Sequence, residues 1–276
     1  MITYPCAKIN LGLNIVARRN DGYHDLETVF YPIRLNDKLD IKVLNDCDYN
    51  EGQCVLAIDG ISIEGDIKDN LVVKAYNIIR QHFPEIPPVN IKLTKNIPSQ
   101  AGMGGGSSDC AYTITALNKM FNLGMSIPDM QYIASKIGAD CPFFINPLPS
   151  FATGIGEHLR PIHLDLSQYY IGIVKPQVMI STREAFAHVT PQKPTRCCLN
   201  IIEGPIESWR YELVNDFENS IAEIYPEIAV LKQRLYDIGA IYASMSGSGS
   251  ALYGIFKHCP RNFNSSSFDK CFTAIV

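Results

Sequence analysis

No apolar run in this 276-residue chain is long enough to cross a bilayer, which argues against a membrane-spanning helix. The N-terminus, MITYPCAKIN, lacks a basic region followed by an apolar stretch, so no secretory leader is expected. No C-x-x-C pair occurs among nine cysteines (6, 47, 54, 110, 141, 197, 198, 259 and 271), and an odd count speaks against a disulfide framework. Neither disulfides nor a zinc cluster are expected; reduced thiols in the cytoplasm are. There is no basic block either. The balance is 24 Lys and Arg to 28 Asp and Glu, net −4, so a nucleic-acid partner is not expected. An anionic ligand would have to be held by local donors, not by the overall field. Internal repeats are missing, and the Ser265–Ser267 run is the extent of any low-complexity tail. Nothing in the sequence addresses oligomeric state.

What is present is an ordinary globular composition, 46% hydrophobic and 19% charged, with length for one large or two smaller domains. Alternating apolar residues predict strands at 8–16, 37–44, 54–58 and 89–94, and strand-like runs recur at 169–174 and 251–256. Helical spacing appears at 69–83, with Asp69 as N-cap, and at 108–121. It recurs at 126–137, opened by Ser126 with Pro128 in the first turn, and at 220–238, broken by Pro226 and stopped by Gly239. Strands and helices are mixed throughout, which suits an α+β or α/β architecture. Residues 190–195 read as a surface loop, and the best domain boundary lies near 151–161.

One stretch stands apart. Gln100 to Asp109, QAGMGGGSSD, packs four glycines and two serines into ten residues. Glycine costs backbone entropy, so such a cluster is there for close approach and not for stability. It lies between the 89–94 strand, with Pro98 after it, and the 108–121 helix. Amides at a helix start have no intrahelical partners and feel the positive end of the macrodipole. Glycines before them let the chain turn those amides toward one point, an anion cradle suited to a nucleotide phosphate. Ser107 and Ser108 can cap the helix and offer hydroxyls to a phosphate or to Mg²⁺. A Walker A loop is excluded, because no Gly-Lys-Ser/Thr ends the run. A Rossmann turn fails at its third glycine, which would be Ser107.

Further islands accompany the cluster: PCAKINLGLNI near the start, NDGYHDLETVF, IGADCPFF at 137–144 and SMSGSGSALYGIF at 244–256. With IPSQAGMGGGSSD they resemble the GHMP kinase superfamily of small-molecule ATP-dependent kinases. The subgroup they resemble acts on a cytidine-diphosphate conjugate of methylerythritol in the non-mevalonate isoprenoid route. Pro98 to Ser108 matches the motif in its triple-glycine form, with Met103 for the usual leucine and Gln100-Ala101 for a more glycine-rich opening. Pro-x-Ala-Lys-Ile-Asn and Asp-Gly-Tyr-His are the subgroup-specific parts; FATGIGE at 151–157 and NDFE at 215–218 also match. The resemblance runs from Tyr4 to about Phe256.

The resemblance implies an α+β, two-lobed GHMP kinase fold. Residues 1–155 would be an N-terminal ATP-binding lobe like ribosomal protein S5 domain 2, and 156–276 a ferredoxin-like C-terminal lobe. It implies a cytoplasmic enzyme with ATP as co-substrate, Mg²⁺ arriving with it, and a small cytidylyl sugar-alcohol as partner. Phosphoryl transfer needs alignment and stabilisation of spread negative charge more than covalent help. The implied catalytic pair is Lys8 and Asp140, with Asp140 accepting or orienting the acceptor proton and Lys8 steadying charge. From the residues alone, Lys8 also reads as a solvated strand-end lysine and Asp140 as a turn aspartate. The implied phosphate and ATP site comprises Pro98, Gly102, Gly104, Gly105, Gly106, Ser107 and Ser108, with Asn70 and Lys95 toward the adenosine. No dedicated metal cage is visible; Ser108 is the hydroxyl for Mg²⁺.

On the acceptor side the resemblance implies Asn10, Tyr23, His24, Phe186, Ser246, Gly247 and Ser248. His24 would read the pyrimidine edge while Tyr23 and Phe186 stack on its faces, worth about 1–3 kcal/mol per base. The residues leave alternatives open: Asn10 as a buried strand asparagine, Tyr23-His24 as the end of a turn, and 244–256 as an ordinary glycine hairpin. Rival functions are another GHMP kinase (mevalonate, homoserine or sugar) and a non-catalytic nucleotide-binding regulator. A dinucleotide-dependent oxidoreductase is more distant.

Overall fold

The computed structural model describes residues 1–44, 54–63, 65–261, 263 and 268–276; Cys47 and the Ser265–Ser267 run lie outside them. The strands are β1 (Ile2–Thr3), β2 (Cys6–Arg18), β3 (His24–Asn36), β4 (Lys38–Val43), β5 (Cys54–Gly60) and β6 (Val89–Lys95). They continue with β7 (Ser150–Thr153), β8 (His158–Pro161), β9 (Tyr170–Lys175), β10 (Tyr242–Met245), β11 (Leu252–Phe256) and β12 (Phe272–Ile275). The helices are α1 (Leu71–His82), α2 (Gly105–Phe121), α3 (Ile127–Ser135) and α4 (Thr182–Ala187), then α5 (Cys198–Ile202), α6 (Ile206–Glu212), α7 (Phe217–Ile224) and α8 (Glu227–Asp237). The mixture bears out the α+β expectation. No helix among the described residues is long and apolar enough to cross a membrane, and every described cysteine is a free thiol.

Contacts group the chain into two interleaved units, one of residues 1–7, 34–99 and 104–147, the other of 8–33, 100–103 and 148–276. In the first, the sheet order is β1-β4-β6-β5. Strict alternation in VNIKLTK sends Val89, Ile91 and Leu93 inward while Asn90 and Lys92 face out, the period of a half-buried strand. β5 and β6 run parallel. Parallel neighbours need a crossover, and α1 supplies it. Helix α1 buries Val72, Val73, Ala75, Tyr76 and Ile79 on one face, each large side chain contributing about 1.5–3 kcal/mol. Its N-cap is Asn70, not Asp69. Asn70 has extended backbone and its Oδ1 accepts the Val72 N–H at 2.9 Å, whereas Asp69 is already wound into a 3-10 turn at Ile67–Asp69. Helix α3 opens as expected, with Ser126 and Asp129 in a reciprocal capping box.

In the second unit a four-stranded antiparallel sheet, ordered β10-β11-β9-β12, is joined by a core of Leu13, Ile15, Val174, Phe217, Ile221, Leu252 and Phe256. The 220–238 segment is two helices, α7 and α8, parted at Pro226; Gly239 stops the second at φ +100. A further sheet, β2-β3-β7-β8, includes a strand the periodicity missed. β3 spans 13 residues but mixes charged residues and Pro32 into its run, so no clean alternation marks it.

Candidate active site

Helix α2 starts earlier than its apolar rhythm suggests. Gly104, at φ +69 and ψ 20, is the N-cap and offers no side-chain cap, so Ser107 and Ser108 lie inside the first turn instead of capping it. The opening amides of α2 are therefore left without side-chain acceptors at the positive end of the dipole. Gly105 is hemmed in, since a Cβ would sit 2.9 Å from Ile97 Cγ2 and 3.3 Å from Lys95 Nζ. Gly106 is exposed, and a Cβ there would meet nothing nearer than Leu71 Cδ1 at 3.8 Å. Ser108 is fully buried and its Oγ has no hydrogen-bond partner, an orphan that costs free energy.

Beneath this turn lies a buried charge triad. Lys95 Nζ donates to Asp109 Oδ2 at 2.7 Å and to Asp37 Oδ2. Asp37 Oδ1 accepts the amides of Asn96 at 2.6 Å and Ile97 at 2.8 Å. One ammonium thus faces two carboxyl groups away from water. Burial alone would lower Lys95, but Asp109 and Asp37 outweigh it and hold it above its ordinary value. Burial pushes Asp109 up to about 8 against the pull of Lys95, and its Oδ1 has no partner. The triad ties the end of β6 to α2 just behind the glycines. Lys95 is thus committed to carboxylates, and it is not among the residues lining the cleft described next.

That cleft, about 280 Å³, lies between the end of β5 and the cap of α1 and is lined by Ile58, Gly60, Ile61, Ser62, Ile67 and Asn70 among others. Gly60 is obligatory there, because at φ +85 a Cβ would fall 2.2 Å from the Lys95 carbonyl oxygen. Pro98 is buried after β6. Asp140 caps the 3-10 turn Cys141–Ile145 and is half-buried, with the whole turn behind it buried. Hydrogen bonding to Cys110, and then to Ser107, holds the Cys141 thiol below its ordinary value against burial. The Asp140 turn and the first turn of α2 are thereby in contact. The first unit brings together Asn70, Lys95, Pro98, Gly104 to Ser108 and Asp140.

The second unit brings together most of the acceptor-side residues. Lys8, 3% exposed, donates from Nζ to Asn10 Oδ1 at 2.6 Å and to the Gly102 carbonyl at 2.8 Å. Asn10 Nδ2 donates to Thr28 Oγ1 at 3.0 Å, and the Thr28 hydroxyl donates to the Gly12 carbonyl. Ser246 Oγ donates to the same Gly102 carbonyl at 2.9 Å. A Cβ on Gly102 would fall 1.8 Å from the Ser246 oxygen, so the two backbones touch. Asn215 Nδ2 braces the turn by donating to the carbonyls of Met245 and Gly247, each at 2.8 Å. Ser248 is turned outward, its Oγ 3.4 Å from Thr182 Oγ1.

His24 and Phe186 meet, though not as two walls of a slot. Their rings stack directly, centroids 4.8 Å apart and planes 17° from parallel, and Phe217 packs edge-on to Phe186 at 4.9 Å. Tyr23 is 60% exposed at the turn between β2 and β3, where its amide donates to Asp21 Oδ1 at 3.1 Å.

Residues 70–146 match the GHMP kinases N terminal domain and residues 203–261 the GHMP kinases C terminal domain. The chain is 49% identical over 256 residues to the 4-diphosphocytidyl-2-C-methyl-D-erythritol kinase of Bacteroides fragilis, covering 93% of this chain and 92% of that one. The chain belongs to the 4-diphosphocytidyl-2-C-methyl-D-erythritol kinase family, within the GHMP kinases. The Parabacteroides distasonis member of this kinase family is 44% identical over 273 residues, 99% of this chain and 97% of its own. A crystal structure of 4-(cytidine 5'-diphospho)-2C-methyl-D-erythritol kinase aligns at TM-score 0.81 and 28% identity, covering 100% of this chain and 98% of that one. Homoserine kinase from Cytophaga hutchinsonii, at 13% identity and TM-score 0.70 over 99% and 94% of the two chains, shares the fold.

In this member of the family, sequence reasoning passed over Thr28, Asp37 and Asp109, and noted Asn215 only as part of NDFE. All four are polar, buried and bonded to residues of interest. Asp109 carried a signal: a carboxylate directly before Cys110 and Ala111 on an apolar helix face needs a cation. Thr28 and Asp37 carried none, since a threonine in a strand and an aspartate before one are unremarked.

Proposed function

We propose that the chain transfers the γ-phosphoryl group of ATP to the 2-hydroxyl of 4-diphosphocytidyl-2-C-methyl-D-erythritol, in the cytoplasm, as a step of non-mevalonate isoprenoid precursor synthesis. The observation that carries the reading is the start of α2, where a bare-glycine N-cap leaves donors with no side-chain acceptor in a chain of this family. Residues 1–155 supply the nucleotide side and, with Lys8, Asn10, Tyr23, His24 and Asp140, part of the acceptor side, which 156–276 complete.

The first turn of α2 fits a triphosphate. Gly104, Gly105, Gly106 and Ser107 offer amides that no N-cap side chain engages, and Gly102 and Pro98 set the approach of the chain to them. The cleft bordered by Asn70 takes the adenosine; Lys95 acts from beneath, positioning α2 through Asp109 and Asp37. Ser108 Oγ, buried and without a partner, is an oxygen ligand suited to a hard cation. Mg²⁺ bound with the nucleotide supplies charge neutralisation to the phosphates.

On the acceptor side, Asp140 accepts or orients the proton of the hydroxyl, and Lys8 steadies the developing negative charge. Asn10 holds Lys8 from one side and has its own amide fixed by Thr28, so the ammonium is pre-oriented and little reorganisation is left to the reaction. Ser246, Gly247 and Ser248 border the substrate diphosphate. The cytosine replaces His24 on the face of Phe186, which frees the imidazole to hydrogen-bond the pyrimidine edge while Tyr23 covers the other side.

The test is a substrate panel with purified protein and Mg-ATP, scored by phosphorylated product. Turnover of the cytidylyl substrate, with mevalonate and homoserine untouched, is the expected result. Turnover of mevalonate or homoserine in its place would overturn the assignment.

A further inference from the structure

We propose that Glu27, Cys197 and Cys198 form a binding site for a thiophilic divalent cation, with zinc as the natural occupant. This goes beyond the kinase reading and does not depend on it. Among the described residues these three are a group whose ligand atoms, two thiol sulfurs and a carboxylate oxygen, all lie within 4.8 Å of one another. A tetrahedral zinc with Zn–S near 2.3 Å and Zn–O near 2.1 Å sets its donors roughly 3.5–3.8 Å apart. The closure required is on the order of 1 Å, within side-chain rotation.

The fold explains how adjacent cysteines converge. Cys197 is the N-cap of α5, with extended backbone (φ −60, ψ 140), and its side chain makes no capping hydrogen bond. The chain therefore turns between the two thiols, and they are not held to the angular separation of neighbours inside a helix. Glu27, on β3, is drawn to the same point because its Oε1 accepts the Cys198 amide at 3.4 Å. Cys198 is buried against β2, its Cβ 2.9 Å from where a side chain on Gly12 would begin, and Gly12 is at φ +66. Cys197 and Glu27 are half-buried, which leaves the outer side open to an arriving ion. Arg196, next to Cys197 in sequence, is engaged elsewhere, by Glu212 at 2.5 Å and by the Asn200 carbonyl at 2.9 Å.

The donor set decides the metal class. Two thiolates with one carboxylate favour zinc and its softer analogues, while Mg²⁺ prefers oxygen alone, so Mg-ATP is no competitor. On binding, each thiol gives its proton to solvent, two Zn–S bonds and one Zn–O bond form, and the six-coordinate aqua ion releases five of its waters. A water keeps the fourth position. Spacing hides the site from sequence reading, because Cys197-Cys198 is not a C-x-x-C pair and the third ligand comes from a distant strand. Occupancy would pin β3 to the head of α5, one residue from Thr28.

Cobalt titration of the full, reduced chain reads the site directly through the sulfur-to-cobalt charge-transfer band. The expected result is one cobalt per chain, displaced by one equivalent of zinc. The band should vanish in the Cys197→Ser/Cys198→Ser double variant and persist in Cys259→Ser/Cys271→Ser. Glu27→Gln keeps both thiols and should weaken cobalt binding about tenfold or more; it serves if the double variant does not fold. No thiolate band in the wild type, a band that survives the double variant, or unchanged affinity in Glu27→Gln would overturn the site.

Discussion

Two glycine–serine turns, Gly104 to Ser108 and Ser246 to Gly249, share a composition and use it in opposite ways. At the first, glycines clear space in front of backbone donors, and the helix that follows leaves those donors without a side-chain cap. At the second, glycines let backbone touch backbone. The Ser246 oxygen occupies the place of a Gly102 side chain, a Cβ on Gly247 would lie 3.1 Å from the Gly102 oxygen, and Asn215 takes up the turn's carbonyls. One turn has hydrogen-bonding capacity to spare and the other consumes its own. Composition alone signals neither; what decides is whether a helix start or a packed carbonyl follows.

The largest expected effect lies beside the first turn. Asp140→Asn should lower kcat by about 10²–10⁴ while ATP affinity, measured by calorimetry, stays within a few-fold. A parallel loss of ATP affinity would mean that the α2 start and the Asp140 turn are not separable. Next is the second turn. Gly102→Ala places a methyl group onto the Ser246 carbonyl at φ +68, so chemical denaturation should show a loss of roughly 2–4 kcal/mol from overpacking and left-handed strain. Phe186→Ala should raise KM for the cytidylyl substrate by an amount corresponding to about 1–3 kcal/mol, with KM for ATP unmoved. Equal changes in both constants would remove the cytosine assignment.

The triad under α2 gives a pH signature. Asp109 has a folded pKa of about 8, above its unfolded value of about 3.9. Between these values the folded chain holds a proton that the unfolded chain has lost, so stability falls as pH rises, by at most about 1.4 kcal/mol per pH unit. Asp109→Asn leaves Lys95 facing Asp37 alone and should flatten that slope between pH 5 and 8 in urea titrations. A flat wild-type slope over that range, unchanged by Asp109→Asn, would show that Asp109 is ionised in the folded state. The smallest effect is the sharpest contrast with Gly102. Gly106→Ala meets only Leu71 at 3.8 Å, so stability should hold or rise by about 0.5–1 kcal/mol while ATP binding weakens.

The sequence showed its elements where one physical cause dominated. Alternation exposed β6, Ser126 and Pro128 marked the start of α3, and Pro226 parted α7 from α8. It misled by one residue at Asn70, because Asp69 is an equally good capper and only the backbone turn distinguishes them. Tyr242–Met245 escaped notice because all four of its residues are buried, which erases alternation. Within the site, the α2 donors were readable from glycines and a helix signal. The stack of His24 on Phe186 was not, since it joins a turn to a short helix far along the chain. The Lys95 triad likewise depends on Asp37 and Asp109 arriving from separate elements.

A crystal structure of the protein with Mg²⁺ and a nonhydrolysable ATP analogue addresses the central claim most directly. The expected density has the phosphates on the amides of Gly105, Gly106 and Ser107, the metal within reach of Ser108 Oγ, and the Ser246 turn unchanged. Phosphates bound away from α2, or held by the Ser246 turn while the α2 amides face water, would contradict it.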